Sequence, residues 1–206
     1  MKKRNVIGSA AAFVSAEFLL SAYFYRRTMK RSRAKVERTM KMAGTDWSQY
    51  ADFIEKRKEF FLAQPHEDVW ITLDDGLKLP YQVKGIVSDC GFTSPKEVFT
   101  HVLHSMYHLP AFPIIPIANI MNRKLAGYGM DECNAAREVK RSTTPTMFIH
   151  GSADTFVPSR MCEKMYENCA AKKWKLIVEE AAHAESYYKD TKRYEEALDV
   201  MLREVL

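Results

Sequence analysis

The sequence predicts an α/β fold built on a parallel sheet and preceded by an apolar N-terminal helix. Three observations lead there. From residue 83 onward the segments alternate as strand, helices, strand, helix, strand, helix. Two of those strands, around Met147-Phe148-Ile149 and in WKLIVEE (174–180), stop abruptly and deliver Asp154 and His183 into loops. Val6 to Tyr25 is a run of twenty residues with one charge, Glu17.

That apolar run comes first in chain order. A helix of this length reaches ~30 Å, the thickness of a bilayer core. Lys2-Lys3-Arg4 precede it, Arg26-Arg27 follow it, and Tyr23, Phe24 and Tyr25 suit a membrane interface. A cleaved signal peptide is the rival, but Leu20 spoils a small-x-small site near Ala22. Glu17 and the many alanines keep a soluble or interfacial helix open as a third reading. We expect a transmembrane anchor over residues 1–27. The heavier positive charge on its C-terminal side places the main domain in the cytoplasm.

Net charge is +5, yet ten lysines and arginines lie between Lys2 and Arg38 against Glu17 and Glu37. The remainder is slightly acidic. Basic residues that flank an apolar segment argue for membrane rather than nucleic acid. The 206 residues, 47% hydrophobic and 28% charged, suit one globular domain with a sizeable core. Cys90, Cys133, Cys162 and Cys169 show no CxxC spacing, so a zinc ribbon or redox motif is not indicated.

Residues 28–66 read as a helical membrane-proximal arm, broken near Gly44 with Asp46 as a helix cap. VWITLDDGLKL (69–79) alternates around Asp75-Gly76 as a hairpin. VKGIVSDCGF (83–92) is a strand ending at Asp89, residues 95–142 are helical, and a helix covers 159–171. The last helix carries Tyr194, Leu198, Met201, Leu202 and Val205 as an apolar stripe. The third domain unit is 67–206.

In parallel sheets reactive groups sit just past the carboxyl ends of strands. Asp154 and His183 follow successive strands, so a carboxylate and an imidazole come together there. A carboxylate that orients a histidine is two-thirds of a nucleophile-activating triad. On VKGIVSDCGFTSP, LPAFPIIPIANIMNRKLAGYGMDE, FIHGSADTFVP and AAHAESYY, residues 83–206 resemble the C-terminal half of an α/β-hydrolase. The likeness is to the serine aminopeptidase/esterase-like group, especially its membrane-anchored bacterial members. The N-terminal anchor and the hairpin resemble that group's entry segments. The resemblance implies that Asp154 is the triad acid, His183 the triad base, and the substrates esters, amides, lipids or peptides.

The nucleophile is missing. A serine hydrolase carries its serine in a G-x-S-x-G elbow. The glycines stand at 8, 44, 76, 85, 91, 127, 129 and 151, and no two are four apart. The lone His150-Gly151 pair belongs to the strand that delivers Asp154, so it is not the oxyanion loop. The hairpin runs almost directly into the strand that, by resemblance, follows the nucleophile helix. The resemblance implies that on the order of a hundred residues belong between them, holding three parallel strands that include the central nucleophile strand. The fold expected is thus an α/β-hydrolase fold without its central strands and elbow, deleted internally near 78–80.

Cys90 is the best substitute nucleophile, but the resemblance offsets its strand end from the catalytic one. Ser94 and Ser152 lack an elbow context. His101, His104 and His108 share a helical face that could hold a metal, though no acid or thiol completes the set. LPAFPIIPIANIM (109–121) could line an acyl pocket or simply pack as core. Glycine-rich phosphate loops are absent, and no cofactor or metal is expected.

Two functions follow. One is a serine hydrolase by lineage, acting through an acyl-enzyme on a small-molecule or peptide ester or amide, and inactive alone. The other is a non-catalytic scaffold, interaction protein or gene fragment. An exposed sheet edge would invite self-association.

Overall fold

The computed structural model describes residues 44–63, 70–72, 78–80 and 83–206, with positions 19, 22, 23 and 26. The expected anchor and the first part of the arm lie outside these residues, apart from those four positions. Among the described residues no helix is long and apolar enough to cross a membrane.

Asp46 starts a short 3-10 turn, Trp47–Tyr50, by accepting the backbone N–H of Ser48 at 3.1 Å. Helix α1 (Ala51–Ala63) continues directly from it. Strands β1 (Trp70–Thr72) and β2 (Lys78–Pro80) pair antiparallel, Trp70 opposite Pro80. The expected hairpin is therefore present, and it extends through the proposed deletion point to Pro80.

The main domain is a three-stranded parallel sheet in the order β3 (Ile86–Asp89), β4 (Thr146–Gly151), β5 (Lys173–Val178). Helices α2 (Pro95–Tyr107), α3 (Ile114–Ala126) and α4 (Ala135–Glu138) connect β3 to β4. Helix α5 (Arg160–Asn168) connects β4 to β5, and α6 (Ser186–Lys189) and α7 (Thr191–Val205) close the chain. Ser94 caps α2 by accepting the Glu97 N–H, with Pro95 in the first turn, where its missing N–H costs nothing.

Strand β4 is buried along its whole length. Its alternating side chains enter two cores. Met147 and Ile149 join Leu176, Val178, Tyr194 and Met201 beneath α7. Phe148 joins Ala136, Cys162, Met165 and Cys169 beneath α4 and α5. Coverage on both faces is why this strand reads as a continuous apolar run rather than an alternating one.

Strand β3 differs. It pairs with β4 on one side, and among the described residues nothing pairs with its other side. Ile86 is 40% exposed and Val87 45%. Two β-branched residues of a parallel strand normally face helices on both sides, so this edge is bare where the expected missing strands would stand.

Packing decides two smaller points. Leu202 of the α7 stripe faces outward, while Tyr194 and Met201 are buried. The 109–121 segment supplies Ile114, Ile115 and Ala118 to a core with Leu103 and Met130. Those three residues are ordinary packing rather than pocket lining.

Candidate active site

The site forms where β4 and β5 end. Gly151 closes β4 against the 181–182 backbone: a Cβ there would run into the Ala181 carbonyl. Ser152 N–H donates to Val178 O (2.9 Å) and Ala153 N–H to Ala181 O (3.0 Å). These bonds hold together the two loops that carry Asp154 and His183. The His-Gly pair thus serves the acid loop and not an oxyanion loop.

Asp154 is 5% exposed. Its Oδ1 accepts the backbone N–H groups of Phe156 (2.9 Å) and Val157 (2.8 Å). His183 Nδ1–H donates to its Oδ2 at 2.8 Å. His150 Nε2–H donates to Val157 O at 2.7 Å and lies 3.2 Å from the same Oδ2. Burial alone would raise the Asp154 carboxyl. The hydrogen bonds from His150 and His183, the imidazole charge and the Val157 N–H outweigh it and hold the group well below the usual carboxylate range. For His150 burial acts downward, and the bonds to Asp154 and the Val157 carbonyl prevail, carrying it up to about 10.

His183 keeps a small opening to solvent, its side chain 14% exposed. Phe156 stands against its ring, with centroids 5.0 Å apart. Among the described residues nothing bonds to Nε2. With Nδ1–H bound to the carboxylate, Nε2 carries the lone pair that can take a proton.

The loop behind the histidine is held from far away in sequence. Thr45 Oγ1 donates to His183 O at 2.5 Å. Tyr50 OH donates to Glu185 Oε1 at 2.5 Å, and Glu185 Oε2 accepts the Ala182 N–H at 2.8 Å. Burial, then the Glu185 bond, pushes the Tyr50 phenol up to about 12. Sequence reasoning gave Thr45, Tyr50, Glu185 and His150 no role. The HGSAD spacing could only have hinted at His150, through its place four residues before Asp154.

Cys90 is closer than expected. Its Sγ, a carboxylate oxygen of Asp154 and a ring nitrogen of His183 all lie within 4.8 Å of one another. The expected offset of this strand end is thereby corrected, because the β3–β4 register brings Asp89 level with Ile149 and Cys90 next to the acid loop. It is nevertheless a poor nucleophile. The Sγ–H donates to Asp89 Oδ1 at 3.2 Å, and burial followed by the Asp89 charge pushes the thiol well above its ordinary range.

The other candidates are elsewhere. Ser152 Oγ accepts the Glu180 N–H, and Ser94 is the α2 cap. His101 Nε2–H donates to Thr155 O at 2.9 Å while its Nδ1 faces Arg160. Among the described residues His101, His104 and His108 gather no further ligands, and His108 ends α2 in a left-handed conformation.

Three comparisons place the chain beside known proteins, and the family model alone bears on the site. The sequence model of the family described as Serine hydrolase (FSH1) matches residues 71–184. The uncharacterized protein YqkD of Bacillus subtilis (strain 168) is 29% identical over 116 residues, which is 56% of this chain and 38% of that protein. The chain thus spans well under half of that relative's length. MGS-MChE2, an alpha/beta hydrolase enzyme from the metagenome of sediments from the lagoon of Mar Chica, Morocco, superposes with a TM-score of 0.35 at 12% identity, over 76% of this chain and 69% of that one.

Proposed function

The chain belongs to the FSH1 serine hydrolase family, in the α/β-hydrolase superfamily, and from that premise we propose that Asp154 and His183 are the acid and base of a hydrolytic relay whose serine this chain lacks. The observation that carries the proposal is the Nδ1–H···Oδ2 bond at 2.8 Å with Nε2 left open. In such a relay Nε2 takes the nucleophile's proton as it attacks an ester or amide carbonyl, then returns it to the leaving group. Asp154 keeps the ring in the right tautomer and stabilises the imidazolium.

The substrates of the lineage are small-molecule or peptide esters and amides. The chain by itself is inactive, because losing the serine removes ~10⁴-fold or more of catalysis. Turnover of activated esters by the folded chain should match buffer. Turnover that vanishes in His183→Ala would overturn the inactivity.

A second reading, a non-catalytic interaction module, draws support from the bare β3 edge. Ile86 and Val87 there offer a pairing surface to another strand. Self-association through that edge, and attachment to a membrane through residues 1–27, belong to this proposal as well.

A further inference from the structure

We propose that Cys90, Asp154 and His183 form a binding site for a borderline-soft divalent cation, with zinc the best fit. This inference stands apart from the hydrolytic reading: it needs the three side chains together and no serine.

The three ligand atoms lie within 4.8 Å of one another and are buried or nearly so. A tetrahedral zinc with bonds of ~2.0 Å to N and O and ~2.3 Å to S spaces its ligand atoms roughly 3.3–3.7 Å apart. Seating the ion therefore takes side-chain shifts of about 1 Å: the sulfur closes in, and the His183–Asp154 pair, 2.8 Å apart, opens. One thiolate and one carboxylate balance the 2+ charge of the ion, while His150 beside Asp154 and the Asp89 carboxylate beside Sγ offset each other. Sulfur and imidazole donors favour zinc over magnesium or calcium, which prefer all-oxygen sets.

The surroundings are already arranged for such an ion. The backbone N–H of Ala184 donates to Cys90 Sγ at 3.0 Å. A neutral thiol is a weak acceptor, whereas a metal-bound thiolate is a strong one. That N–H is held on the sulfur by two non-glycine residues in left-handed conformations, Cys90 (φ 53°) and Ala184 (φ 58°). Asp154 is oriented by two backbone N–H groups and His150, and supports of this kind orient metal ligands. On binding, Sγ exchanges its proton for the metal and the proton leaves to solvent. The Nδ1–H···Oδ2 bond opens and the imidazole proton moves to Nε2, so that neutral Nδ1 and Oδ2 both face the metal; a fourth position stays open to water.

The test is titration of the full chain with Co²⁺ as a spectroscopic stand-in for zinc. The expected result is one equivalent bound with a thiolate-to-cobalt charge-transfer band, erased by added Zn²⁺. The band should be absent from both Cys90→Ser and Cys90→Ala and unchanged in Cys133→Ser, which removes the exposed thiol. His183→Ala should weaken binding at least ~10-fold, the loss typical even of an outer-shell partner. A folded chain without the band would overturn the site. So would a band that survives loss of Cys90, depends on Cys133, or ignores His183→Ala.

Discussion

His183 reaches Asp154 across 29 residues of sequence and donates Nδ1–H to its Oδ2 at 2.8 Å. Only the ends of two adjacent parallel strands bring them together, and Gly151 sets the closeness of their loops. The same carboxylate also receives two backbone N–H groups and faces His150, so it is a structural centre as well as a candidate catalytic acid.

Asp154→Ala should therefore destabilise the fold severely. It strands the Phe156 and Val157 N–H groups and His150 in a buried place, which costs about 3–5 kcal/mol. Urea unfolding of variant and wild type measures this. A loss below about 1 kcal/mol would mean the loop does not depend on the carboxylate.

The pH dependence has a definite sign. Asp154 is depressed below its unfolded value of ~3.9. It contributes stability that is present above that value and lost as pH falls through the folded one. Thermal melts should fall as pH drops below about 4, with a shallower fall in Asp154→Asn. His150 is raised to about 10, so its contribution is complete below its unfolded value of ~6.5 and lost as pH rises toward the folded one. His150→Gln should flatten the alkaline side.

Tyr50→Phe removes one bond that fastens the loop behind His183. A hydrogen bond to a charged group contributes about 1.5–3 kcal/mol. The variant should also exchange its 182–185 amide hydrogens faster, which hydrogen-exchange mass spectrometry reads directly. Unchanged exchange would show that α1 and its 3-10 turn do not brace the site.

Ile86→Lys with Val87→Lys places charge on the bare β3 edge. Sedimentation should show the wild-type chain associating and the double variant less so, because edge charges oppose strand pairing. Equal sedimentation as monomers would remove the interaction reading.

The parts of the structure that were legible in the sequence are those with strong local patterns. The apolar run at 147–149 marked the central strand because both of its faces are covered. Asp154 and His183 were found because each follows a strand. What stayed hidden depends on tertiary register. Cys90 looked offset until the pairing of β3 with β4 placed it beside the acid. Thr45 and Tyr50 are polar residues in a charged segment, and their partners lie 138 and 135 residues away. No local spacing could reveal those contacts. His150 sat inside a His-Gly pair whose meaning is set by the Ala181 carbonyl it meets in space.

The most direct measurement is labelling of the purified, folded chain with a fluorophosphonate, followed by peptide mapping. A relay without its serine predicts no label, in wild type and His183→Ala alike. A label that maps to a residue of this chain and disappears in His183→Ala would contradict it, and the mapped residue would be the nucleophile.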